Sequence, residues 1–387
     1  MELIAQLKEM RAEMALWRRD IHAHPETAFE EFRTSDIVAD KLKSFGLEVH
    51  RGLAKTGVVG KLRAGNSLRA IGLRADMDAL HVQEANDFAH RSQNPGKMHA
   101  CGHDGHTAML LGAARHLART RRFNGTVYFI FQPAEETEGG GRVMVEEGLF
   151  DRFPVEAVFG LHNWPGMAVG EFAVMPGAMM ASSDSFEIKL SGMGSHAAMP
   201  HLGTDTIVAA AALVQALQTV VSRTVSPVES AVLSVTQIHA GDAWNVLPGE
   251  VMMRGTTRAF HVDVQDAIES ALRRVCDGVA AAHGVTADVS YWRRYPPTIN
   301  TAAEAATAAA VMRELVGADK VHVDLPPTMG AEDFAFMLQK RPGAYAWIGN
   351  GPGEGGCILH NPHYDFNDDV LPLGAGYWVR LAEHILR

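Results

Sequence analysis

The short segment KMHACGHDGHT, residues 97–107, places Cys101 among histidines in a chain that has only three cysteines. Thiolate and imidazole together are ligands of Zn²⁺ and other borderline transition ions. A C-x-H pair alone is weak evidence for a metal site, because residues two positions apart do not share a helix face. In a loop, however, the side chains of Cys101 and His103 can converge on one ion. The segment therefore makes Cys101 a candidate metal ligand whose partners must lie elsewhere in the sequence.

Other polar residues follow apolar runs that are typical of β-strands. Asp76 ends LRAIGLRAD, Glu135 and Glu136 end GTVYFIFQPAEE, His162 ends AVFGLH, and His360 lies in the Gly-rich segment GPGEGGCILHNPH. Each has an ordinary structural explanation, since a Glu-Glu pair often begins a helix and a histidine such as His162 is often part of a core. Ligand sites in open α/β sheets nevertheless lie at the carboxyl ends of strands. The joint occurrence of these residues at predicted strand ends favours one shared site.

The residue types at these positions indicate the chemistry of that site. The candidate metal ligands are Cys101, His103, Glu136, His162 and His360. Five protein ligands are one more than a closed tetrahedral site uses, so two divalent ions fit better than one. Such a pair can activate a bridging water and polarise a carbonyl oxygen, which is metal-assisted hydrolysis. Glu135, adjacent to a ligand but not needed as one, is then the expected general base.

Two other classes of protein are compatible with parts of this pattern. A cysteine hydrolase would use Cys101 as its nucleophile with a nearby histidine as base. A noncatalytic binding protein stabilised by metal would use the same ligands but would leave Glu135 without a task. Loss of activity on addition of a chelator distinguishes a metal enzyme from the cysteine hydrolase. Any turnover of an acyl amino acid excludes the noncatalytic binding protein.

Composition limits the partners and the cellular location. The formal net charge of the 387-residue chain is −10, and no basic stripe with interleaved aromatics is found, so no nucleic-acid partner is expected. The N-terminus is charged throughout and predicts an amphipathic helix without the apolar centre of a secretory signal. The apolar segment 207–221 is shorter than a membrane span and predicts a packed helix. Together with the few cysteines, these features predict a cytoplasmic protein with no membrane partner.

The periodicity of the chain predicts an α/β protein. Strand-like and helix-like runs alternate up to about residue 182, which implies a mainly parallel sheet covered on both faces. Residues 183–296 follow the order β-α-β-β-α-β, which is the ferredoxin-like arrangement, and predict an inserted lid domain. We therefore expect a catalytic domain formed by residues 1–182 and 297–387, with the lid and dimerisation domain between its two parts.

Several motifs, in order and over nearly the whole chain, resemble the M20 metallopeptidase family. They are RADMDAL, MHACGHDGHT, FQPAEE, GLH, GSHAAMPH, NVLPGEVMMRGTTRAF, GAEDFA and LHNPHYDFND. The likeness is strongest to its amidohydrolase branch, which includes hippurate hydrolases and auxin-conjugate hydrolases. This resemblance implies a dinuclear metal enzyme that cleaves N-acyl amino acids, and it assigns the same five ligands and the same base.

The resemblance also implies roles for residues that spacing alone does not select. Asp76 stands where related peptidases have an acid that orients a ligand or the base. Arg74 stands where they have a metal-binding histidine, which implies that the Cys101 thiolate takes over bridging. His196 and Asn245 occupy lid positions that the family uses to hold the scissile carbonyl or the substrate carboxylate.

Arg258, in the same part of the chain, is a candidate clamp for the substrate carboxylate. The alternative for Arg258 is a surface salt bridge, because it lies near the end of a predicted strand of uncertain facing. One departure from the family pattern is His81, where many members of the branch have proline.

The resemblance completes the functional expectation. The cofactors are two divalent ions, Mn²⁺ or Zn²⁺ first and Co²⁺ or Ni²⁺ next, and the partner is a small N-acyl amino acid of the hippurate type. A homodimer or dimer-based oligomer through the lid is expected, in which the histidine at the substrate carbonyl comes from either subunit. A dinuclear dipeptidase or aminoacylase of the same family is the nearest alternative function.

Overall fold

A computed structural model describes residues 2–352 and 357–387. Within these residues the chain divides into two compact units. The first unit comprises Met1–Met179, Ile299–Pro326 and Asp333–Arg387, and the second comprises Met180–Thr298 and Pro327–Glu332. The segment 327–332, which the sequence analysis places with the second part of the catalytic domain, thus belongs to the second unit.

The first unit contains most of the helices and one large sheet. In its first part the elements are α1 (Glu2–Glu9), α2 (Arg11–Ala23), α3 (Phe32–Ser44), β1 (Glu48–Leu53), β2 (Gly57–Ala64), β3 (Ala70–Asp76), α4 (His103–Thr120), β4 (Gly125–Gln132), α5 (Gly140–Glu146), α6 (Leu149–Arg152), β5 (Ala157–Pro165), β6 (Phe172–Ala173) and β7 (Gly177–Met180). The amphipathic helix predicted at the N-terminus is thus two helices, α1 and α2, separated at Met10.

The second unit is formed by the central part of the chain. Its elements are β8 (Ser183–Ser191), β9 (Ser195–His196), a 3₁₀ turn (Pro200–Leu202), α7 (Thr206–Thr219), a π-helical turn (Val220–Thr224), β10 (Ala231–His239), β11 (Val246–Leu247), β12 (Glu250–Ala259), α8 (Val262–His283) and β13 (Thr286–Tyr295). The chain then passes through β14 (Thr298–Asn300) and completes the first unit with α9 (Ala302–Val316), a 3₁₀ turn (Ala318–Lys320), β15 (Val321–His322), α10 (Ala335–Leu338), β16 (Gly343–Gly351), a 3₁₀ turn (Asp368–Val370) and α11 (Leu371–Ile385).

The large sheet has eight strands in the order β1-β2-β4-β3-β5-β16-β6-β15. Its four central strands, β4, β3, β5 and β16, are mutually parallel. Strands β1 and β2 add antiparallel pairs on one side, and β6 is antiparallel to β16 on the other. The predicted α/β class with a mainly parallel catalytic sheet is confirmed.

Burial explains why the sequences of the central strands are almost continuously apolar. Every residue of β3 and of β4 is buried, as expected for parallel strands covered on both faces. Helix α4 contributes fourteen buried residues, and its Leu110, Leu111 and Leu117 belong to the same apolar core as Leu73 and Phe129. This core holds rigidly the strand ends at which the candidate ligands lie.

The second unit has the predicted ferredoxin-like order. Its sheet has four antiparallel strands arranged β10-β12-β8-β13. The residues of β8 alternate between buried and partly exposed positions, because only one face of this sheet is covered. Leu213 of α7 and Leu272 of α8 pack with Ile188 and Met253 in a separate apolar core.

The helical run Thr206–Thr224 is longer than the sequence analysis predicts. Its 19 residues are long and apolar enough to cross a membrane, by length and composition alone. One face of the run, including Ala209, Leu213 and Leu217, is buried in the core of the second unit, while Ile207 is exposed. The apolar composition of the buried face is therefore explained by packing inside the unit.

Candidate metal centre

Two adjacent strands bring carboxylates to one edge of the large sheet. Asp76 is the last residue of β3 and pairs in register with Gln132, the last residue of β4. Beyond these ends the chains stay together, since the Met77 N–H donates to the Gln132 carbonyl at 2.9 Å. Glu135 and Glu136 follow in a turn between β4 and α5, so this pair does not begin a helix.

His162 projects from the neighbouring strand β5. It pairs in register with Trp347 of β16, and pairing continues from there to Pro165 and Gly351. The strand thus runs three residues beyond the end predicted at His162, because β16 keeps supplying a partner. His162 lies within a strand of the rigid sheet, which limits the positions that its ring can take.

Cys101 and His103 lie where the chain enters α4. The helix begins at His103 itself, three residues before the predicted start near His106. Gly102 caps it with a φ of +90°, and a Cβ at this position would lie 2.3 Å from Asn163 Oδ1. Only glycine combines this left-handed backbone with so close an approach. The glycine thus permits the turn that directs the side chains on both sides of it into the site.

His360 reaches the site from the C-terminal part of the chain. Its N–H donates to the Ala100 carbonyl at 2.8 Å, next to Cys101, and its φ is +66°. Its Nε2 lies 3.4 Å from Glu136 Oε2. Of the segment 351–363 in which the sequence analysis places His360, residues 353–356 lie outside the described part of the chain.

The structure thus brings all five candidate ligands together. Their donor atoms form two groups whose members lie within 4.8 Å of one another, one with Cys101, His103 and His162 and the other with Cys101, Glu136 and His360. A third group contains His103, Glu135 and Glu136. Cys101 is the residue that the first two groups have in common.

The ring orientations of two histidines suit metal coordination. His103 Nδ1 lies 3.2 Å from Asp78 Oδ1, and His162 Nδ1 donates to the Asn163 carbonyl at 2.7 Å. Such bonds at Nδ1 leave Nε2 of each ring as the ligand atom. His162 Nε2 lies 3.4 Å from Cys101 Sγ. Nε2 of each ring therefore faces another candidate ligand, Glu136 in the case of His103 and Cys101 in the case of His162.

Two buried atoms of the cluster lack hydrogen-bond partners among the described residues. They are His103 Nε2 and Glu136 Oε1, which lie 3.7 Å apart. Unsatisfied buried polar atoms are rare and costly, and they call for an explanation such as an ion. Both are acceptors when the imidazole is neutral, and a divalent cation satisfies both at once. The donor set of one thiol, three imidazoles and a carboxylate therefore fits borderline divalent ions.

The electrostatics of Cys101 disfavour a role as nucleophile. Burial raises the pKa of its thiol well above the ordinary value, and the carboxylates of Glu136 and Glu135 raise it further. Burial also lowers the pKa of His162, its histidine neighbour, well below the usual range. Reactive cysteines need an electropositive setting that stabilises the thiolate. In the metal-free protein the thiol is protonated, and a cation bound by the sulfur would displace this proton.

Asp76 lies in a buried network beside the ligands. Its Oδ1 lies 2.6 Å from His106 Nδ1, its Oδ2 accepts from Arg74 Nη1 at 2.6 Å, and the same Oδ2 lies 3.7 Å from His103 Nε2. Burial opposes ionisation of Asp76, but His103 and Arg74 outweigh it and hold its pKa well below the usual range. Arg74 also donates to Asp333 and Gln132, at 3.0 and 2.8 Å. Arg74 thus acts as a buried cation that organises the strand ends.

Asp78 has a position that sequence reasoning missed. Its Oδ1 faces His103 Nδ1, and its Oδ2 accepts the Glu136 N–H at 3.0 Å. One carboxylate thereby orients two candidate ligands. His106 was also missed as a partner of Asp76, although its place three residues after His103, on the first turn of the helix, was a usable signal.

An Asp78→Asn variant is expected to weaken metal binding. Asparagine has one amide oxygen in place of the two carboxylate oxygens of Asp78. It cannot accept hydrogen bonds from both His103 and the Glu136 N–H, so both candidate ligands lose orientation. Loss of such a supporting partner typically costs about 10- to 100-fold in metal affinity or activity. Titration of the metal-free protein with Mn²⁺ or Zn²⁺, followed by calorimetry, checks this. Unchanged affinity in a normally folded variant would contradict the role of Asp78.

His196 and Asn245 lie side by side within the second unit. Strand β9, which contains His196, pairs with β11, and the Ala197 N–H donates to the Asn245 carbonyl at 2.9 Å. His196 Nδ1 accepts the Ala198 N–H at 3.1 Å, which leaves the proton of the neutral, exposed ring on Nε2. The ring is therefore preset as a hydrogen-bond donor.

Arg258 lies on β12 of the second unit without a carboxylate partner within 4.0 Å among the described residues. Its Nη1 donates to the hydroxyls of Ser183 and Thr256, at 2.5 and 2.9 Å, and to the Thr257 carbonyl at 3.2 Å. The surface salt bridge, which was the alternative explanation for Arg258, is thus not formed among the described residues. His81, the departure from the family pattern, is exposed.

Comparison with known proteins extends these observations. The model of peptidase family M20/M25/M40 matches residues 72–384. The chain is 41% identical over 387 residues to the hippurate hydrolase of Campylobacter jejuni, covering 100% of both chains. It is 44% identical over 302 residues to the N-acyl-L-amino acid amidohydrolase of Geobacillus stearothermophilus, covering 77% of this chain and 81% of that protein.

A solved structure shows the same architecture. It is that of the YXEP protein of Bacillus subtilis, described as a dinuclear metal binding peptidase from the M20 family, with a TM-score of 0.86 and 34% identity. The match covers 98% of this chain and 99% of that chain. The similarity thus spans both units.

Proposed function

The chain belongs to peptidase family M20/M25/M40, and from this premise we propose that it hydrolyses the amide bond of N-acyl amino acids with two divalent cations. The products are a carboxylic acid and a free amino acid. Hippurate-like substrates, in which the acyl group is aromatic, are the expected class.

One structural observation supports this proposal most strongly. The two groups of donor atoms share Cys101, and Glu135, only 7% exposed, lies beside Glu136 at the same site. Two neighbouring groups of candidate metal ligands with a further carboxylate beside them are what hydrolysis by an activated water requires. A purely structural metal site would need neither the second group of ligands nor Glu135.

In the proposed mechanism Glu135 moves a proton. When bound, the two cations polarise the substrate carbonyl and lower the pKa of the attacking water. Glu135 takes a proton from that water as its oxygen attacks the carbonyl carbon. The same carboxyl then gives the proton to the amide nitrogen, so that the C–N bond breaks and a neutral amine leaves. Asp78 and Asp76 keep His103 and its neighbours oriented during these steps.

Residues of the second unit are proposed to bind the substrate. We assign the Nε2–H of His196 to the carbonyl oxygen that becomes negative in the transition state. We assign Asn245 and Arg258 to the substrate carboxylate, since the guanidinium of Arg258 has no carboxylate partner among the described residues. These assignments explain why free dipeptides and N-acyl amino acids, which share a carboxylate, are the competing substrate classes.

The finer properties extend the same proposal. Mn²⁺ or Zn²⁺ are the proposed native ions, with Co²⁺ and Ni²⁺ as functional substitutes, because all four share this set of ligands. We also propose a cytoplasmic homodimer formed through the second unit, whose His196 serves its own or the partner's site.

The decisive test combines substrates with metals. The purified protein is expected to hydrolyse benzoyl, acetyl or indoleacetyl amino acids faster than simple dipeptides. Activity should disappear with EDTA and return with one of the four ions. Activity that resists EDTA but is lost on alkylation would instead indicate a cysteine hydrolase. Preference for dipeptides would favour the dipeptidase alternative.

A further inference from the structure

The turn that contains Glu135 has an unusual backbone. Ala134, directly before it, has a φ of +56°, a left-handed conformation that a residue with a Cβ rarely adopts. Such conformations persist only where surrounding contacts hold them. Contacts that hold Ala134 therefore also determine where Glu135 points.

Part of this support comes from α5, which follows the turn. The Gly140 N–H donates to the Ala134 carbonyl at 3.0 Å. A Cβ on Gly140 would lie 1.8 Å from the Pro133 carbonyl oxygen, so only glycine allows this approach. The carbonyl side of Ala134 is thus held locally, by a contact six residues away.

The amide side of Ala134 is held by a distant residue, Glu31. The Ala134 N–H donates to Glu31 Oε1 at 2.9 Å across 103 positions of sequence. The same oxygen accepts the Phe29 N–H at 3.1 Å, and Oε2 accepts the Thr56 hydroxyl at 2.6 Å. Glu31 is 0% exposed and Thr56 only 2%, so water cannot replace these bonds.

The two amides that flank Glu135 are therefore both held by buried carboxylates. Glu31 accepts the N–H of the residue before it, and Asp78 accepts the N–H of Glu136 after it. Glu31 belongs to the α2–α3 connection and contacts no candidate ligand in these bonds. A carboxylate that served only the fold of this connection would have no need to bond Ala134.

We infer that Glu31 is a positioning residue for the general base, acting through the Ala134 amide. The inference rests on the proposed function of Glu135. When Glu31 is removed, the left-handed turn relaxes and Glu135 leaves the place where it meets the attacking water. Misplacement of a catalytic group by about 1 Å is enough to cost on the order of 100-fold in rate.

Three variants test this inference. Glu31→Ala is expected to lower kcat by about 10- to 100-fold with little change in KM, because the substrate contacts are untouched. Glu31→Gln should restore most of kcat, since its amide oxygen still accepts the Ala134 N–H and its nitrogen can donate to Thr56. Glu31→Asp, shorter by one methylene, should fall between them and replaces the alanine variant if that protein does not fold.

Glu26 provides the matched control on the same connection. Its carboxylate accepts the N–H groups of Arg33 and Thr34, at 2.9 and 2.8 Å, at the start of α3. Glu26→Ala removes two comparable bonds without touching the turn. It should lower the melting temperature while the folded protein keeps the parent kcat.

A second readout does not depend on activity. Hydrogen exchange of the Ala134 amide in the metal-free protein should be faster in Glu31→Ala or Glu31→Asp than in Glu26→Ala at matched stability. A parent-like kcat and unchanged exchange at Ala134 in a folded Glu31 variant would overturn the inference. If the parent itself hydrolyses no acyl amino acid, the proposed function fails, while the exchange result still decides whether Glu31 holds the turn.

Discussion

A Glu135→Gln variant is expected to keep its metal ions, while its kcat falls by a factor of about 10² to 10⁴. Glutamine has the shape of glutamate but cannot take a proton from water at neutral pH. Glu135 is only 7% exposed and lies within 4.8 Å of donor atoms of His103 and Glu136, so its carboxylate lies beside the candidate metal ligands, where the attacking water is proposed to be activated. The measurement is kcat for benzoylglycine at saturating metal, together with elemental analysis of the protein.

Glu138 offers the control for this change. It lies in the same turn but is exposed. Glu138→Gln removes the same charge from the same loop and should leave kcat within a factor of about two, as expected for a surface substitution. A Glu135→Gln protein with parent turnover would mean that another group is the base. Loss of metal from it would mean that Glu135 is a ligand.

A His196→Ala variant is expected to lose about 10² to 10³ in kcat, which corresponds to roughly 3 kcal/mol of barrier. The Ala198 N–H occupies Nδ1 at 3.1 Å and leaves Nε2–H as a preset donor. Alanine removes this donor from the oxygen that becomes negative in the transition state. Metal content and melting temperature should change little, because the ring is exposed and belongs to the second unit.

His201 is the matched control for His196. It is an exposed histidine in the same segment, within the 3₁₀ turn Pro200–Leu202. His201→Ala should retain the parent kcat. If His196→Ala instead lowers the melting temperature while its folded fraction keeps normal kcat, the histidine only supports the turn, and its assignment to the carbonyl oxygen is wrong.

The fold class was predictable because its signals are local. Alternation of strand-like and helix-like runs indicated the mainly parallel sheet, and the order β-α-β-β-α-β indicated the second unit. The boundaries were less accurate. His162 does not end its strand, because β16 continues to pair with β5 as far as Pro165. Likewise α4 begins at His103, because Gly102 adopts a left-handed backbone that the sequence pattern does not reveal.

The candidate ligands were predictable for a chemical reason. Thiolate, imidazole and carboxylate are few in kind, and parallel strands bring their carboxyl ends to one edge of a sheet. Cys101, Glu136 and His162 could therefore be placed together from sequence alone. The presence of a second carboxylate, Glu135, beside Glu136 likewise followed from adjacency in the chain.

Only the tertiary structure decided which residues hold those ligands in place. Asp78 and Glu31 are acidic residues like many others in the sequence, and nothing local distinguishes them. Glu31 meets Ala134 across 103 positions, and the Asp78 carboxylate divides its two oxygens between His103 and the Glu136 amide. A hydrogen bond forms only when the donor–acceptor distance is correct to within a few tenths of an ångström. That distance follows from how strands and helices pack. Residue type thus indicates which ions suit the candidate site, whereas packing determines how Glu135 and the candidate ligands are oriented.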